Sequence, residues 1–292
     1  MKTSTCPSFV FFGTPAIAVE ALDEMKTLGY TPSLIVCNPD APVGRKHILT
    51  PPPVKVWAEA QQIPFIQPTN LHDPEVQQRL TVDVWDFFTV FAYGKIIPES
   101  LLSIPRYGTL NAHPSLLPKF RGASPIQNTL LHDLSAAGVS IIKMDAQLDH
   151  GPLLAQQPVT LAAPIPADQL RLTMGRISGD LLAHVMQEYP NGQLQATAQD
   201  HSAATYCTKI TKDMAELTLD PHALPTGEAA EAAYRKICAF AGWPSTYFIH
   251  HGTRIKINQA QLHDGHLIID SVTPAGKKPQ LFTQWLQNQP KV

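Results

Sequence analysis

Charge is what this chain has least of. Asp, Glu, Lys and Arg make up 16% of its 292 residues, against about 25% in ordinary soluble domains. The balance of 22 basic and 24 acidic residues leaves a formal charge of −2. No global positive field therefore advertises a polyanionic partner, although a local basic stripe can still serve one. Cysteine is also sparse. Cys6, Cys37, Cys207 and Cys238 stand far apart without a CxxC, which leaves neither a zinc-site spacing nor a disulfide framework and suits reduced thiols in the cytosol. No metal is expected. The amino-terminal apolar run, Phe9–Phe12, stops at Gly13, far short of a signal peptide or membrane span. The turn after it reads Gly13-Thr14-Pro15. Without G-x-G-x-x-G, a dinucleotide pyrophosphate has no glycine cradle, which argues against a nucleotide-binding module.

What is present is a core's worth of apolar residues, 44%, in a strand–helix alternation from Ser8 to about Leu161. Strands are expected at Ser8–Gly13, Leu34–Cys37, Val84–Ala92, Thr109–Ala112 and Val139–Met144. Helices are expected from Pro15 to Leu28, after Pro53, and over Ala167–Glu188. Such alternation argues for an α/β fold, a Rossmann-like, mostly parallel sheet whose ligands sit beyond the strands' carboxyl ends. The Pro- and Gly-punctuated stretch Asn38–Pro53 reads as a loop. Residues 190–204 are polar and read as a linker. Beyond them a helix from Gly227 to Phe240 precedes three short alternating strands, Thr246–His250, Arg254–Asn258 and His266–Asp270, with turns at His251-Gly252 and Asp264-Gly265. The expected organisation is a catalytic domain over 1–189, a linker over 190–204, and a small OB-like β-barrel domain over 205–292.

Three segments follow strands and carry chemistry. Asn111 and His113, two apart on a strand, project from the same face. An amide NH₂ beside an imidazole can donate to a developing oxyanion and exchange a proton with it; the same pair could instead cap a strand–loop junction. The next residues, Pro114 to Gly122, are interrupted by Pro114 and Pro118 and suit a rigid pocket wall. Asp149 lies in the turn Met144–Pro152, where it could orient His113 or serve as an ordinary Asx-turn residue. Asp145 and His150 beside it are competing candidates. The third segment, Phe91-Ala92-Tyr93-Gly94-Lys95-Ile96-Ile97-Pro98, could offer main-chain groups to a flat heterocycle around Gly94, or be a plain strand-to-helix turn.

Together these segments resemble the formyltetrahydrofolate-dependent transferase superfamily. N-x-H-P-S-L-L-P-x-x-R-G, L-D-x-G and A-Y-G-x-x-x-P occur in the superfamily's order. The resemblance implies Asn111, His113 and Asp149 as the catalytic set. It implies Phe91, Tyr93, Gly94, Ile96, Ile97 and Pro98 with Ser115, Leu116, Leu117 and Pro118 as the contacts of 10-formyltetrahydrofolate. Within the superfamily the chain is most similar to the family that formylates methionyl initiator tRNA. That likeness rests on Phe12–Pro15, on Asn38–Lys46 running to Pro51–Lys55, on Thr205–Lys212, and on Arg235–Pro244 with Thr253–Ile257. It implies Arg45, Lys46, Lys209 and Lys212 as tRNA contacts of a cytoplasmic monomer. One departure is plain: the tryptophan usual after the Lys209–Lys212 segment is replaced by Leu217-Thr218-Leu219-Asp220. A sugar-nucleotide N-formyltransferase would share the same three residues and the same donor.

Overall fold

The computed structural model describes residues 6–44 and 46–289. The chain divides into two compact units. One comprises residues up to Gly122, Gly138–Val159 and Arg171–Tyr206; the other comprises Ala123–Ala137, Thr160–Leu170 and the chain from Cys207 onward.

The strands of the first part of the chain are β1 (Phe9–Phe12), β2 (Leu34–Val36), β3 (Ala41–Val43), β4 (Ile48–Thr50), β5 (Phe65–Ile66), β6 (Phe87–Val90), β7 (Thr109–His113), β8 (Arg121–Gly122), β9 (Gly138–Lys143) and β10 (Leu153–Pro158). Seven of them form one sheet in the order β10-β9-β7-β6-β1-β2-β5. The pairs β5–β2, β2–β1, β1–β6 and β6–β7 are parallel, whereas β7–β9 and β9–β10 are antiparallel. The mostly parallel α/β sheet expected from the alternation is therefore present. β1, β2 and β6 are buried along their whole length, which is why β1 and β2 read as unbroken apolar runs rather than alternating ones; in β6 the one polar residue, Thr89, donates its hydroxyl to the Val10 carbonyl. Val10, Phe12, Val36, Phe88, Val90, Tyr93 and Ile97 form a core on this sheet.

Helix α1 (Ala16–Thr27) begins after Pro15, whose extended backbone ends the turn, and buries Ala18, Ala21, Leu22 and Met25 on one face. Next come α2 (Pro53–Ala60), α3 (Pro74–Thr81) and the short α4 (Glu99–Leu102). The expected strand Val84–Ala92 shortens to β6. Trp85 turns its indole to donate to the Leu80 carbonyl, and Val84 stays exposed. Within Asn38–Pro53, read as a loop, β3 and β4 pair as an antiparallel hairpin. In 190–204, Thr197 exchanges backbone hydrogen bonds with Leu153, and Gln199 is buried.

α5 (Pro125–His132) and α7 (Gly227–Ala239) belong to the second unit, whereas α6 (Ala167–Glu188) has all but its first turn in the first unit. A short strand, β11 (Tyr206–Cys207), pairs with β8. A separate antiparallel sheet runs in the order β12 (Tyr247–His250), β13 (Thr253–His263), β14 (His266–Pro274) and β15 (Gln280–Leu281), and is followed by α8 (Phe282–Gln287). β13 and β14 run longer than the sequence suggests because they pair with each other nearly to their common turn, despite an irregularity near Gln259. Ala230 and Ala233 of α7 pack with Phe248, Ile255, Ile257, Leu267, Val272 and Trp285. Alanines on this face leave room for the aromatic rings of the sheet. Among the described residues no helix is long and apolar enough to cross a membrane. Cys6 is exposed, and Cys37, Cys207 and Cys238 are buried; all four are free thiols.

Candidate active site

The order of the sheet reverses at β1, between β2 on one side and β6 on the other. Beyond the carboxyl ends of β1, β6 and β7 lie the segments the sequence singles out, where an open α/β sheet places its ligands. Asn111 pairs in register with Val90 and Ile142, and His113 with Ser140. The strand period of two then turns both side chains to one face.

Asp149 meets them there. Its Oδ1 accepts from Asn111 Nδ2 at 3.3 Å, and its Oδ2 lies 3.5 Å from His113 Nδ1. The same Oδ2 accepts from the backbone N–H of Gly122 at 2.8 Å. The carboxylate thus sits between amide and imidazole, with a main-chain donor behind it. His113, whose side chain is 5% exposed, is fixed at its other end: Nε2 lies 2.9 Å from the carbonyl of Phe120. A carbonyl oxygen can only accept, so Nε2 carries a proton there and Nδ1 is the nitrogen left to serve chemistry. The structure brings Asn111, His113 and Asp149 together. Asp145, by contrast, is occupied with His150, 2.6 Å from its Nδ1.

The loop after β7 is stapled to the sheet. Ser115 donates to the carbonyl of Lys119 at 2.6 Å, and its own carbonyl accepts from Ser140 Oγ at 2.6 Å. Leu117 N donates to Ser140 Oγ, and Gln156 Nε2 donates to the Leu117 carbonyl. Ser115 and Leu117 are buried, while Leu116 and Pro118 are half-buried. In the other segment Phe91, Tyr93, Ile97 and Pro98 are buried, and Ile96 is 92% exposed. Burial pushes the Tyr93 phenol up to about 12. These side chains anchor the loop, and the chain at Ala92 and Gly94 stays exposed. Gly94 has φ +80 with open space around it; the left-handed backbone, rather than steric closeness, requires the glycine.

Gly151 is constrained differently. A Cβ there would stand 1.9 Å from the Lys143 carbonyl oxygen, so the Asp149 turn crosses the end of β9 with no room for a side chain. Gly151→Ala is expected to push this turn away by about 1 Å and lower turnover about 100-fold, the scale of a misplacement that small. Steady-state kinetics beside a melting curve checks this; wild-type kcat would refute it.

The β3–β4 hairpin is fastened at its base. Lys55 Nζ reaches both carboxylate oxygens of Asp40 at 2.9 Å. Gln67 Nε2 donates to Asp40 Oδ1 and to the Asn38 carbonyl, both at 2.8 Å. The Gln67 bond and the Lys55 pair hold the Asp40 carboxyl below its usual range, and the bond to Asp40 raises Lys55. A depressed carboxyl stabilises the fold above its unfolded value of about 3.9 and loses that effect as pH falls through the folded value. A raised ammonium contributes fully below about 10.4 and fails only as pH climbs through its folded value. The base therefore holds across neutral pH and opens in acid. Asp40→Asn should speed hydrogen exchange at Ile48–Thr50 at pH 7 and remove its acid dependence; unchanged exchange would contradict this.

Of the expected RNA contacts, Lys46 is exposed in the hairpin turn, and Lys209 and Lys212 are exposed in the second unit. Arg45 lies outside the described residues. Among the described residues no three His, Cys, Asp or Glu side chains gather as a metal site. The backbone groups of Phe120 and Gly122 that fix the cluster escaped the sequence reading, since no side-chain type announces them.

Comparison with known proteins shows the family. Residues 8–176 match the model of the formyl transferase family. The methionyl-tRNA formyltransferase of Chloroflexus aggregans is 34% identical over 302 residues, covering 95% of this chain and 96% of that protein. Among solved structures, the methionyl-tRNA formyltransferase from Clostridium thermocellum superposes with a TM-score of 0.61 at 15% identity, over 92% of this chain and 98% of that one. An N-formyltransferase from Helicobacter canadensis, in complex with folinic acid and dTDP-3-aminofucose, gives 0.64 at 16% identity over 90% and 98%. At those identities the two structures speak for the fold alone. The chain belongs to the formyl transferase family and is a formyl-transferring enzyme of the methionyl-tRNA formyltransferase kind.

Proposed function

We propose that the protein transfers the formyl group of 10-formyltetrahydrofolate to the amino group of methionyl initiator tRNA, acting as a monomer in the cytoplasm. The observation that carries the chemistry is the meeting of Asn111, His113 and Asp149 beyond the carboxyl ends of the central strands. One N–H of the Asn111 amide is held by Asp149; the other donates to the formyl oxygen as it becomes an oxyanion. His113 Nδ1 takes the proton of the attacking amine, directly or through a water, and returns it to the departing nitrogen of the donor. Asp149 steadies the ring while it carries the extra proton. Phe91, Tyr93, Ile97 and Pro98 hold the loop that presents Gly94 and Ile96 to the donor, and Ser115–Pro118 form the facing wall.

The β3–β4 hairpin, with Lys46 exposed in its turn, suits contact with the acceptor end of a tRNA, and Arg45, next to Lys46 in the sequence, is proposed as a further contact. Lys209 and Lys212 supply phosphate contacts on the second unit, whose four-stranded sheet and α7 serve as a reduced OB-like fold. The test is formyl transfer from 10-formyltetrahydrofolate to methionyl initiator tRNA, run beside an amino-sugar nucleotide. Transfer to the tRNA alone supports the reading. Transfer to the sugar alone keeps the three catalytic residues and overturns the roles given to the hairpin and the second unit.

A further inference from the structure

Behind the catalytic cluster lies a buried cation. Arg121 is 2% exposed, and its Nη2 donates to Gln199 Oε1 at 2.6 Å and to His201 Nδ1 at 2.9 Å. Taking a guanidinium out of water is costly, so its hydrogen bonds are expected to accomplish something. Gln199 is itself 5% exposed and commits both N–H groups of its amide: Nε2 donates to the carbonyl of Asp149 at 2.9 Å and to that of Gly151 at 2.7 Å. Two carbonyls require a donor and a guanidinium requires an acceptor, so only one orientation of this amide satisfies all its partners. Asp149 meanwhile has φ +48, a left-handed conformation that a non-glycine residue keeps only where its surroundings impose it. The ring closes through the backbone. Gly122, next in the chain after Arg121, donates its N–H to the Asp149 carboxylate at 2.8 Å. The Arg121 side chain thus acts, through Gln199, on the carbonyl of the residue whose carboxylate the following peptide holds.

We infer that Gln199, its amide oriented by Arg121, is a positioning residue for formyl transfer: it locks the left-handed turn at Asp149 and aims the carboxylate at His113 and Asn111. This rests on the function proposed above for those three residues. Loss of the two donors lets the turn relax and moves the carboxylate by a fraction of an ångström to an ångström, enough to slow a reaction that depends on alignment.

Gln199→Glu is the discriminating variant. It keeps an acceptor for Arg121, now an ion pair, but presents oxygen instead of N–H to the two carbonyls. A residue that merely filled space or neutralised Arg121 would be replaced well by glutamate. The expected results are a kcat lower by about 10–100-fold, with KM for the formyl donor changed less than about 3-fold. In an Asp149→Asn background the same change should cost less than about 2-fold, because both act on one unit. Gln199→Met, equal in length and without the amide, should behave alike if the glutamate variant folds poorly. A second readout needs no activity: amide exchange at Gly122 should quicken about 10-fold, while that of Gly13, which donates to the Val36 carbonyl, stays at its wild-type rate. The inference is overturned if Gln199→Glu keeps kcat within about 2-fold, or if its effect multiplies with that of Asp149→Asn. Wild-type exchange at Gly122 would overturn it too, whatever the acceptor of the formyl group proves to be. If wild-type protein transferred no formyl group, the proposed function would fail, and Gly122 exchange would still decide whether Gln199 holds the turn.

Discussion

His113→Ala is expected to lower kcat for formyl transfer by about 10²–10⁴-fold, the span associated with one positioned acid–base group, and to leave the formyl donor bound. The expectation follows from how the ring is held. With Nε2 spent on the Phe120 carbonyl, Nδ1 alone can take a proton from an attacking amine, and alanine offers nothing in its place. The donor contacts proposed above lie elsewhere, on the loop around Gly94 and on the Ser115–Pro118 wall. That wall is tied to Ser140 and Gln156, so it does not lean on the imidazole. Equilibrium binding of the donor, measured beside single-turnover transfer, separates the two effects. Binding lost together with turnover would make His113 a support for the Phe120 loop instead of a participant in proton transfer.

The second large effect is expected at Asn111. Removing one well-aimed oxyanion donor costs about 2.7–4 kcal/mol, or 10²–10³ in kcat, and Asn111→Ala should fall in that range with KM nearly unchanged. Asn111→Asp is the sharper comparison. It preserves shape but places a second carboxylate beside Asp149, whose Oδ1 is 3.3 Å from the Asn111 amide nitrogen. Two carboxylates that close share one proton, which the hydrogen bond between them takes up, and neither has a second donor for the formyl oxygen. The aspartate variant should therefore be no better than the alanine one. Substantial recovery of kcat in Asn111→Asp would show that the amide N–H is not what stabilises the developing charge.

These outcomes bear on the division of labour between side chains and backbone. Asn111 and His113 are strand residues, and their alignment follows from pleat geometry. Asp149 sits in a turn, and its position depends on the Gly122 N–H, on a glycine at 151 without space for a Cβ, and on the Gln199 amide. The turn is thus the part of the site most exposed to changes made outside it, so Gly151 and Gln199 are expected to report on catalysis without meeting substrate.

The sequence by itself determined the mostly parallel sheet, since strands buried on both faces are apolar nearly throughout, as Phe9–Phe12 and Leu34–Val36 are entirely and Phe87–Val90 is but for Thr89. It also determined that Asn111 and His113 face the same way, because two residues apart on a strand always do. The three chemical segments were legible because a short motif keeps its residue types at fixed spacing. Spacing alone left Asp145 and Asp149 open, the resemblance implied Asp149, and the tertiary structure supplies the physical reason. Asp145 and Asp149 lie in one turn, and the choice between them is made by Gly122 and Asn111 on one side and His150 on the other. It likewise decided that Asn38–Pro53 contains a hairpin, fastened by an ion pair with Lys55 outside that stretch. It brought Gln199, in a polar stretch that reads as a linker, into the interior behind Asp149. The reason is common to all three. Hydrogen bonds to backbone groups and partners distant along the chain leave no periodicity or composition to read, and they exist only once the chain has folded around them.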